Sequence, residues 1–123
     1  MSQSLSLPLA TYDDPFAQRL AEDGQVLARA RLTTLQLNLG KMCNLACNHC
    51  HVESGPNRTE IMTWSVMQRI FEWIDRYREE LGIAVGDLTG GAPEMNPSFS
   101  RLIESLVERG IHVLDRCNLT ILL

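Results

Sequence analysis

The sequence has no long apolar run, few aromatic residues and no excess of basic charge. Phe, Trp and Tyr make up 6% of the 123 residues, and the net charge is -4. Without a basic start or a run of about 20 apolar residues, we expect neither a secretory signal nor a membrane span. The acidic balance argues against a nucleic-acid or anionic-membrane partner. With 45% hydrophobic residues, the composition predicts a globular, cytoplasmic chain with a modest core.

Cysteine is also scarce, but three of the four cysteines lie within eight residues of one another. Cys43, Cys47 and Cys50 are spaced C-x3-C-x2-C, directly after an alternating apolar run. A disulfide framework is disfavoured because the chain lacks a secretory signal and the triplet is odd in number. Thiolates are soft donors, and three on one loop can converge on an iron-sulfur cluster. Three thiolates leave one iron of a four-iron four-sulfur cluster open to another ligand.

A structural zinc site is the main alternative for this loop. The fourth ligand would be His49, His51 or Cys117, because zinc accepts three cysteines with a histidine, or four cysteines. Zinc sites more often show two separated ligand pairs than one triplet. Unrelated buried cysteines are disfavoured because the loop is otherwise polar.

The periodicity predicts a partly helical leader followed by alternating strands and helices. The leader, residues 1–32, has a helix start at Asp13-Asp14-Pro15 and an interruption at Gly24. The expected strands are 33–39, 83–89 and 111–116; one helix follows Thr63 and ends at Gly82, and the other follows Asn96-Pro97 and ends at Gly110. Helical connections of this length permit parallel pairing, so the fold class is α/β.

Parallel strands bring the loops that follow them to one edge of the sheet. The cysteine loop, the Gly-Gly-Ala-Pro-Glu run at 90–94 and the Cys-Asn-Leu-Thr run at 117–120 should therefore share one face. Paired glycines let the backbone approach a ligand closely, and proline stiffens the turn. Cys117 is either a small buried residue or a cluster ligand, and the second is less favoured because it would close the open iron.

The cysteine spacing, with the ring of His49 just before the last cysteine, resembles the signature of radical S-adenosylmethionine (radical SAM) enzymes. The resemblance implies the N-terminal part of a partial (βα) barrel. It further implies that Cys43, Cys47 and Cys50 hold a 4Fe-4S cluster whose open iron chelates the amino and carboxylate groups of SAM. A reductant such as flavodoxin or ferredoxin would supply the electron that cleaves SAM to a 5′-deoxyadenosyl radical. The implied cofactor-binding residues are His49, Gly90, Gly91, Ala92, Pro93, Glu94 and Asn118.

One motif departs from the family pattern. Residues 90–94 resemble the Gly-Gly-Glu-Pro motif, but Ala92 stands where the acid is usual. Either Glu94 supplies the carboxylate from a shifted position or backbone carbonyls suffice. The Cys-Asn-Leu-Thr run resembles a Thr-Asn-Gly-Thr segment of relatives, in which Asn118 would reach the cofactor or substrate.

A closer resemblance runs from about Thr33 to the end of the chain. The runs at 43–53, 87–97 and 115–120 resemble the radical SAM family of arsenosugar biosynthesis, which also accounts for Ala92. This resemblance implies addition of a 5′-deoxyadenosyl group to a small-molecule substrate, a methylated trivalent arsenical.

The expected domains are therefore a leader at 1–32 and the N-terminal portion of a radical SAM core at 33–123. The core is expected to be truncated and inactive alone, because only three strands are readable. The roles of His51 and Glu53 stay open. A non-catalytic zinc or iron-sulfur binding module is the alternative function.

Overall fold

The computed structural model describes residues 14–28 and 31–123. The chain divides into two compact units, Met1–Ala30 and Arg31–Leu123. In the first unit, helix α1 spans Pro15–Glu22, and the Asp14 carboxylate accepts a 2.9 Å hydrogen bond from the Phe16 N–H. This start confirms the prediction at Asp14 and Pro15, since a carboxylate cap and a proline at the first position both suit a helix start. Asp13 lies outside the described residues.

The second unit contains a three-stranded parallel sheet with strand order β1-β2-β3. Its elements are β1 Thr34–Asn38, α2 Trp64–Leu81, β2 Val85–Thr89, α3 Phe99–Glu108 and β3 His112–Asp115, with short 3₁₀ turns at Pro93–Met95 and Thr120–Leu122. The register pairs Thr34 with Val85, and Val85 with His112. The predicted α/β fold is confirmed, and three parallel strands in an open sheet are consistent with a partial radical SAM barrel.

One face of the sheet packs against both long helices. Leu37 of β1 and Leu88 of β2 join a single buried cluster with Phe71 and Ile74 of α2 and Leu106 of α3. The apolar residues of α2 and α3 recur at three- and four-residue steps, and this spacing marks the buried face of each helix. Burying these side chains stabilises the fold by roughly 1.5–3 kcal/mol each.

The other face of the sheet is mostly polar. Gln36 and Asn38 alternate with the leucines of β1, and successive side chains of a strand point to opposite faces. Asp87 of β2 and Arg116, just after β3, lie on the same side and contact each other. This polar face adjoins the loops that carry the predicted site.

Helix α3 begins later than its sequence indicated. The N-cap is Ser98 rather than Asn96, and the first helical residue is Phe99. Asn96 has an extended backbone, and its side-chain oxygen accepts a hydrogen bond from the Ser98 N–H at 2.9 Å. This local side-chain turn competes with helical geometry at Pro97, so the prediction of a cap at Asn96 was wrong.

None of the helices in the described ranges has the length and apolar character needed to cross a membrane.

Candidate metal and cofactor site

A cavity of about 500 Å³ opens where the three strands end. The three clustered cysteines line it, together with four other residues of the predicted site: His49, Gly90, Gly91 and Asn118. His51 is also in its wall. The three loops thus meet at one edge of the sheet, as parallel pairing predicted. Ala92, Pro93 and Glu94 do not line this cavity.

The cysteine loop is held at its base by backbone pairing. Gly40 forms an antiparallel bridge with Ile61, and Met42 forms a parallel bridge with Gly55. The Cys43 N–H donates to the Gly55 carbonyl at 3.3 Å. The loop therefore leaves the sheet and returns to it as an anchored segment, with the cysteines between the two arms.

Nearby N–H groups donate to two of the three sulfurs. The Cys50 Sγ accepts from the Ser54 N–H at 3.4 Å, and the Cys43 Sγ accepts from the Leu45 N–H at 3.5 Å. Backbone donation from Ser54 is the main cause that lowers the pKa of the Cys50 thiol. Donors of this kind favour the thiolate form, which is the metal-binding form.

Asn118 links the segment after β3 to the first cysteine. Its Nδ2 lies 3.7 Å from the Cys43 Sγ and donates to the Asn44 side-chain oxygen at 2.8 Å. Its own oxygen accepts from the Ile121 N–H at 3.2 Å and from the Thr120 hydroxyl at 3.0 Å. Asn118 therefore orders the rim of the cavity.

The paired glycines let two loops approach each other closely. Gly91 has φ +64°, and a Cβ there would collide with the Met42 carbonyl oxygen. The next residue, Ala92, donates its N–H to that same oxygen at 2.8 Å. The absence of a side chain at Gly91 thus places the glycine segment directly against the residue that precedes Cys43.

Gln36 and Arg116, which line the cavity, both bond to Asp87 on the open face of the sheet. Arg116 donates from Nε and Nη2 to the two carboxylate oxygens of Asp87, both at 2.8 Å. Gln36 donates to the same carboxylate at 3.3 Å. Hydrogen bonding and charge from Arg116 lower the pKa of Asp87, which stays ionised. This ion pair neutralises the guanidinium beside the cysteine loop.

The Radical SAM superfamily model matches residues 37–122, more than half of the chain. The chain belongs to the radical SAM superfamily. Radical SAM proteins are a family of enzymes that generally use a 4Fe-4S cluster and SAM. The three thiolates, the N–H donors to their sulfurs and the adjoining cavity fit such a cluster. Cys43, Cys47 and Cys50 are the described residues that could hold it.

Two curated relatives bear the name probable GTP 3′,8-cyclase. The protein from Pyrococcus horikoshii is 35% identical over 75 residues, covering 61% of this chain and 23% of the relative. The protein from Archaeoglobus fulgidus is 35% identical over 77 residues, covering 63% of this chain and 25% of the relative. The chain therefore spans about a quarter of the length of these relatives, and neither name refers to arsenic. No solved structure matches the chain significantly.

Glu94 lies away from the cavity, beside β3. Its carboxylate shares a cluster with the Asp115 carboxylate and the Cys117 thiol, with one ligand-type atom from each within 4.8 Å of the others. Burial raises the pKa of Asp115 to about 6, and the Glu94 side chain acts in the same direction. The nearby Glu94 carboxylate is also the main cause that raises the pKa of the Cys117 thiol. Glu94 and Cys117 therefore belong to a group separate from the three clustered cysteines.

The sequence reasoning missed Gln36, Asp87 and Arg116 as residues near the site. The polar face of β1 was visible in its alternation, and it could have pointed to Gln36. The ion pair could not be read in this way, because its partners are 29 positions apart.

Proposed function

We propose that this chain carries the cluster-binding part of a radical SAM enzyme, with Cys43, Cys47 and Cys50 as ligands of a 4Fe-4S cluster. The observation that carries the proposal is that these three cysteines line one cavity, at the edge where all three parallel strands end. When bound, the cluster supplies the electron that cleaves SAM to methionine and a 5′-deoxyadenosyl radical.

The neighbouring residues have roles that follow from their positions. Gly90 and Gly91 lack side chains, so their backbone groups can approach the methionine end of SAM. His49 offers a flat ring in the cavity wall for the adenine. Asn118 contacts Cys43 and has an amide that can turn toward the cofactor or substrate. Ala92, Pro93 and Glu94 would act through the shape of the turn that presents the glycines.

For the substrate, we propose a methylated trivalent arsenical whose lone pair would form a new carbon–arsenic bond with the 5′-deoxyadenosyl group. The carbon–sulfur bond of SAM would break with methionine as the leaving group, and the one electron in excess at arsenic would return to the oxidised cluster. The support is the resemblance of the runs at 87–97 and 115–120 to the arsenosugar family. Charge provides a second argument. Among the described residues that line the cavity, Arg116 is the one Lys or Arg, and its guanidinium is already paired with Asp87. An uncharged arsenical needs no further cation there.

GTP is the second candidate substrate, because both curated relatives are named probable GTP 3′,8-cyclase. A triphosphate would need several basic side chains. Among the described residues that line the cavity, Arg116 is the one Lys or Arg side chain.

We further propose that residues 33–123 are the N-terminal portion of the core, that residues 1–32 form a leader, and that the protein is cytoplasmic. The reducing compartment follows from the need to keep three clustered thiols free of disulfides. Flavodoxin or ferredoxin would then be available as the reductant.

Anaerobic reconstitution with iron and sulfide tests the cluster assignment. We expect about four irons and four sulfides per chain, and an electron paramagnetic resonance signal of the reduced protein that changes when SAM is added. Stoichiometric zinc without sulfide would support the non-catalytic metal module instead. A cluster whose electron paramagnetic resonance signal does not change when SAM is added would indicate an electron carrier.

The substrate test uses the protein at its natural length with reductant and SAM. Separate reactions contain trimethyl- or dimethylarsenic(III) species, or GTP, and products are identified by mass spectrometry. An adenosylated arsenical supports the arsenic proposal. A cyclised GTP product without any arsenic adduct would overturn it.

A further inference from the structure

The side chain of Asn96 joins the two ends of the cysteine loop. Its Nδ2 donates to the Leu39 carbonyl at 3.0 Å, just before the loop, and to the Met62 carbonyl at 2.9 Å, just after it. Both amide hydrogens are therefore used. Asn96 is only 5% exposed, so water does not readily replace these bonds.

The two loop ends also contact each other. The Met62 N–H donates to the Leu39 carbonyl at 2.9 Å, and the Leu39 N–H donates to the Thr89 carbonyl at 2.8 Å. Leu39 is thus tied to β2, to the far arm of the loop and to Asn96. Asn96 adds a side-chain link between the two arms of the loop, because its amide nitrogen bonds to the Leu39 and Met62 carbonyls together.

The orientation of the Asn96 amide is fixed by its own surroundings. Its Oδ1 accepts from the Ser98 N–H at 2.9 Å, and its backbone N–H donates to the Pro93 carbonyl at 3.0 Å. With an N–H donor facing the oxygen and two carbonyls facing the nitrogen, only one placement of the amide satisfies all partners. The side chain is therefore held rigidly in the connection between β2 and α3.

The same connection contacts the loop at a second place. Ala92 donates to the Met42 carbonyl, directly before Cys43. The segment from Ala92 to Asn96 therefore hydrogen-bonds to the cysteine loop at two places, beside its first cysteine and at its base.

We propose that Asn96 is a positioning residue, which sets the width of the loop base and so the spacing of the three thiolates that hold the cluster. This inference rests on the proposed function, since the thiolate spacing matters only if these cysteines bind a cluster. Asn96 is not a catalytic residue, because it contacts the loop backbone and not the cavity.

The substitution Asn96→Asp separates positioning from helix capping. Aspartate keeps the oxygen that accepts from Ser98, but it replaces the amide donor with an acceptor that faces two carbonyls. Asn96→Ala removes both functions. The matched control is a substitution of Leu106, either Leu106→Val or Leu106→Ala. We choose the variant whose loss of stability in urea equals that of Asn96→Asp. Leu106 is fully buried and packs near Gly86 and Ile111.

The first readout is hydrogen exchange at the Met62 amide in the metal-free chain. We expect faster exchange in Asn96→Asp than in the matched Leu106 variant. Equal exchange would overturn the inference whether or not a cluster forms.

The second readout uses the reconstituted proteins. We expect Asn96→Asp to lose its cluster about tenfold faster than the matched variant, as for other residues that orient metal ligands, and its reduced signal to be altered. If the native chain forms a cluster but the two variants lose it equally fast, only this inference fails. If the native chain forms no cluster, the proposed function fails, and so does the proposed role of Asn96 in spacing the thiolates.

Discussion

Arg116 and Asp87 form a two-pronged ion pair in which only one partner is exposed. The Arg116 side chain is 56% exposed, and that of Asp87 is 9% exposed. Removing the arginine leaves a buried carboxylate with Gln36 as its one remaining partner among the described residues, whereas removing the acid leaves a guanidinium that water can solvate. We therefore expect Arg116→Ala to lower the midpoint of urea denaturation more than Asp87→Asn does. Equal midpoints, or a larger drop for Asp87→Asn, would show that burial of the carboxylate does not decide the effect.

The same pair has a defined pH dependence. Arg116 lowers the folded-state pKa of Asp87, so the folded chain binds fewer protons at this site than the unfolded chain does. The pair therefore stabilises the fold above the ordinary carboxyl pKa of about 4, and that stabilisation is lost as the pH falls through the lowered value. A double-mutant cycle of Arg116→Ala and Asp87→Asn should give a coupling free energy at pH 7 that decreases in acid.

The four cysteines should divide into two groups. We expect alanine at Cys43, Cys47 or Cys50 to abolish cluster assembly, because a cluster with only two thiolate ligands is poorly held. Cys117→Ala is the matched control and should keep both iron and sulfide, since its thiol sits with Glu94 and Asp115. Iron and sulfide content after anaerobic reconstitution measures this. A Cys117 variant without a cluster would make that residue a fourth ligand.

Much of the fold could be predicted from local sequence patterns. Period-two alternation located β1, three- and four-residue steps located the buried face of α2, and parallel pairing brought the three loops to one edge. The contacts that stabilise the site were harder to predict from the sequence, because they join residues that are far apart along the chain. Asn96 looked like a helix cap from its neighbours, and only the folded chain reveals its bonds to Leu39 and Met62. No local pattern brings Glu94 beside Asp115.

Close packing at Gly91 predicts a sharp effect of adding one methyl group. Gly91→Ala would place a Cβ against the Met42 carbonyl, so the loop must shift. Gly24→Ala is the matched control, because Gly24 has nearly the same positive φ, +65° against +64°, and no atom of the described residues lies within 4 Å of the added Cβ. Both variants should lose about 1–2 kcal/mol from backbone strain. Only Gly91→Ala should lose more than this in urea denaturation and also bind less iron. If both variants bind iron equally, contact with Met42 does not position the loop.

The paired carboxyls of Glu94 and Asp115 predict a stability change near pH 6. Burial raises the pKa of Asp115 to about 6, whereas in the unfolded chain the group titrates near 4. Between these values the folded chain binds more protons than the unfolded chain, so stability falls as the pH rises from about 4 to about 6 and stays lower above.

Asp115→Asn should remove this penalty, because asparagine is neutral at every pH in that range. We expect the variant to be more stable than the native chain at pH 8 and to lose that advantage at pH 4, as measured by urea denaturation. Glu104→Gln, an exposed carboxyl on α3, serves as the control and should change the pH profile little. An advantage of Asp115→Asn that is equal at pH 4 and pH 8 would mean that its cause is packing, since the penalty of a buried charge must vanish once the carboxyl is protonated.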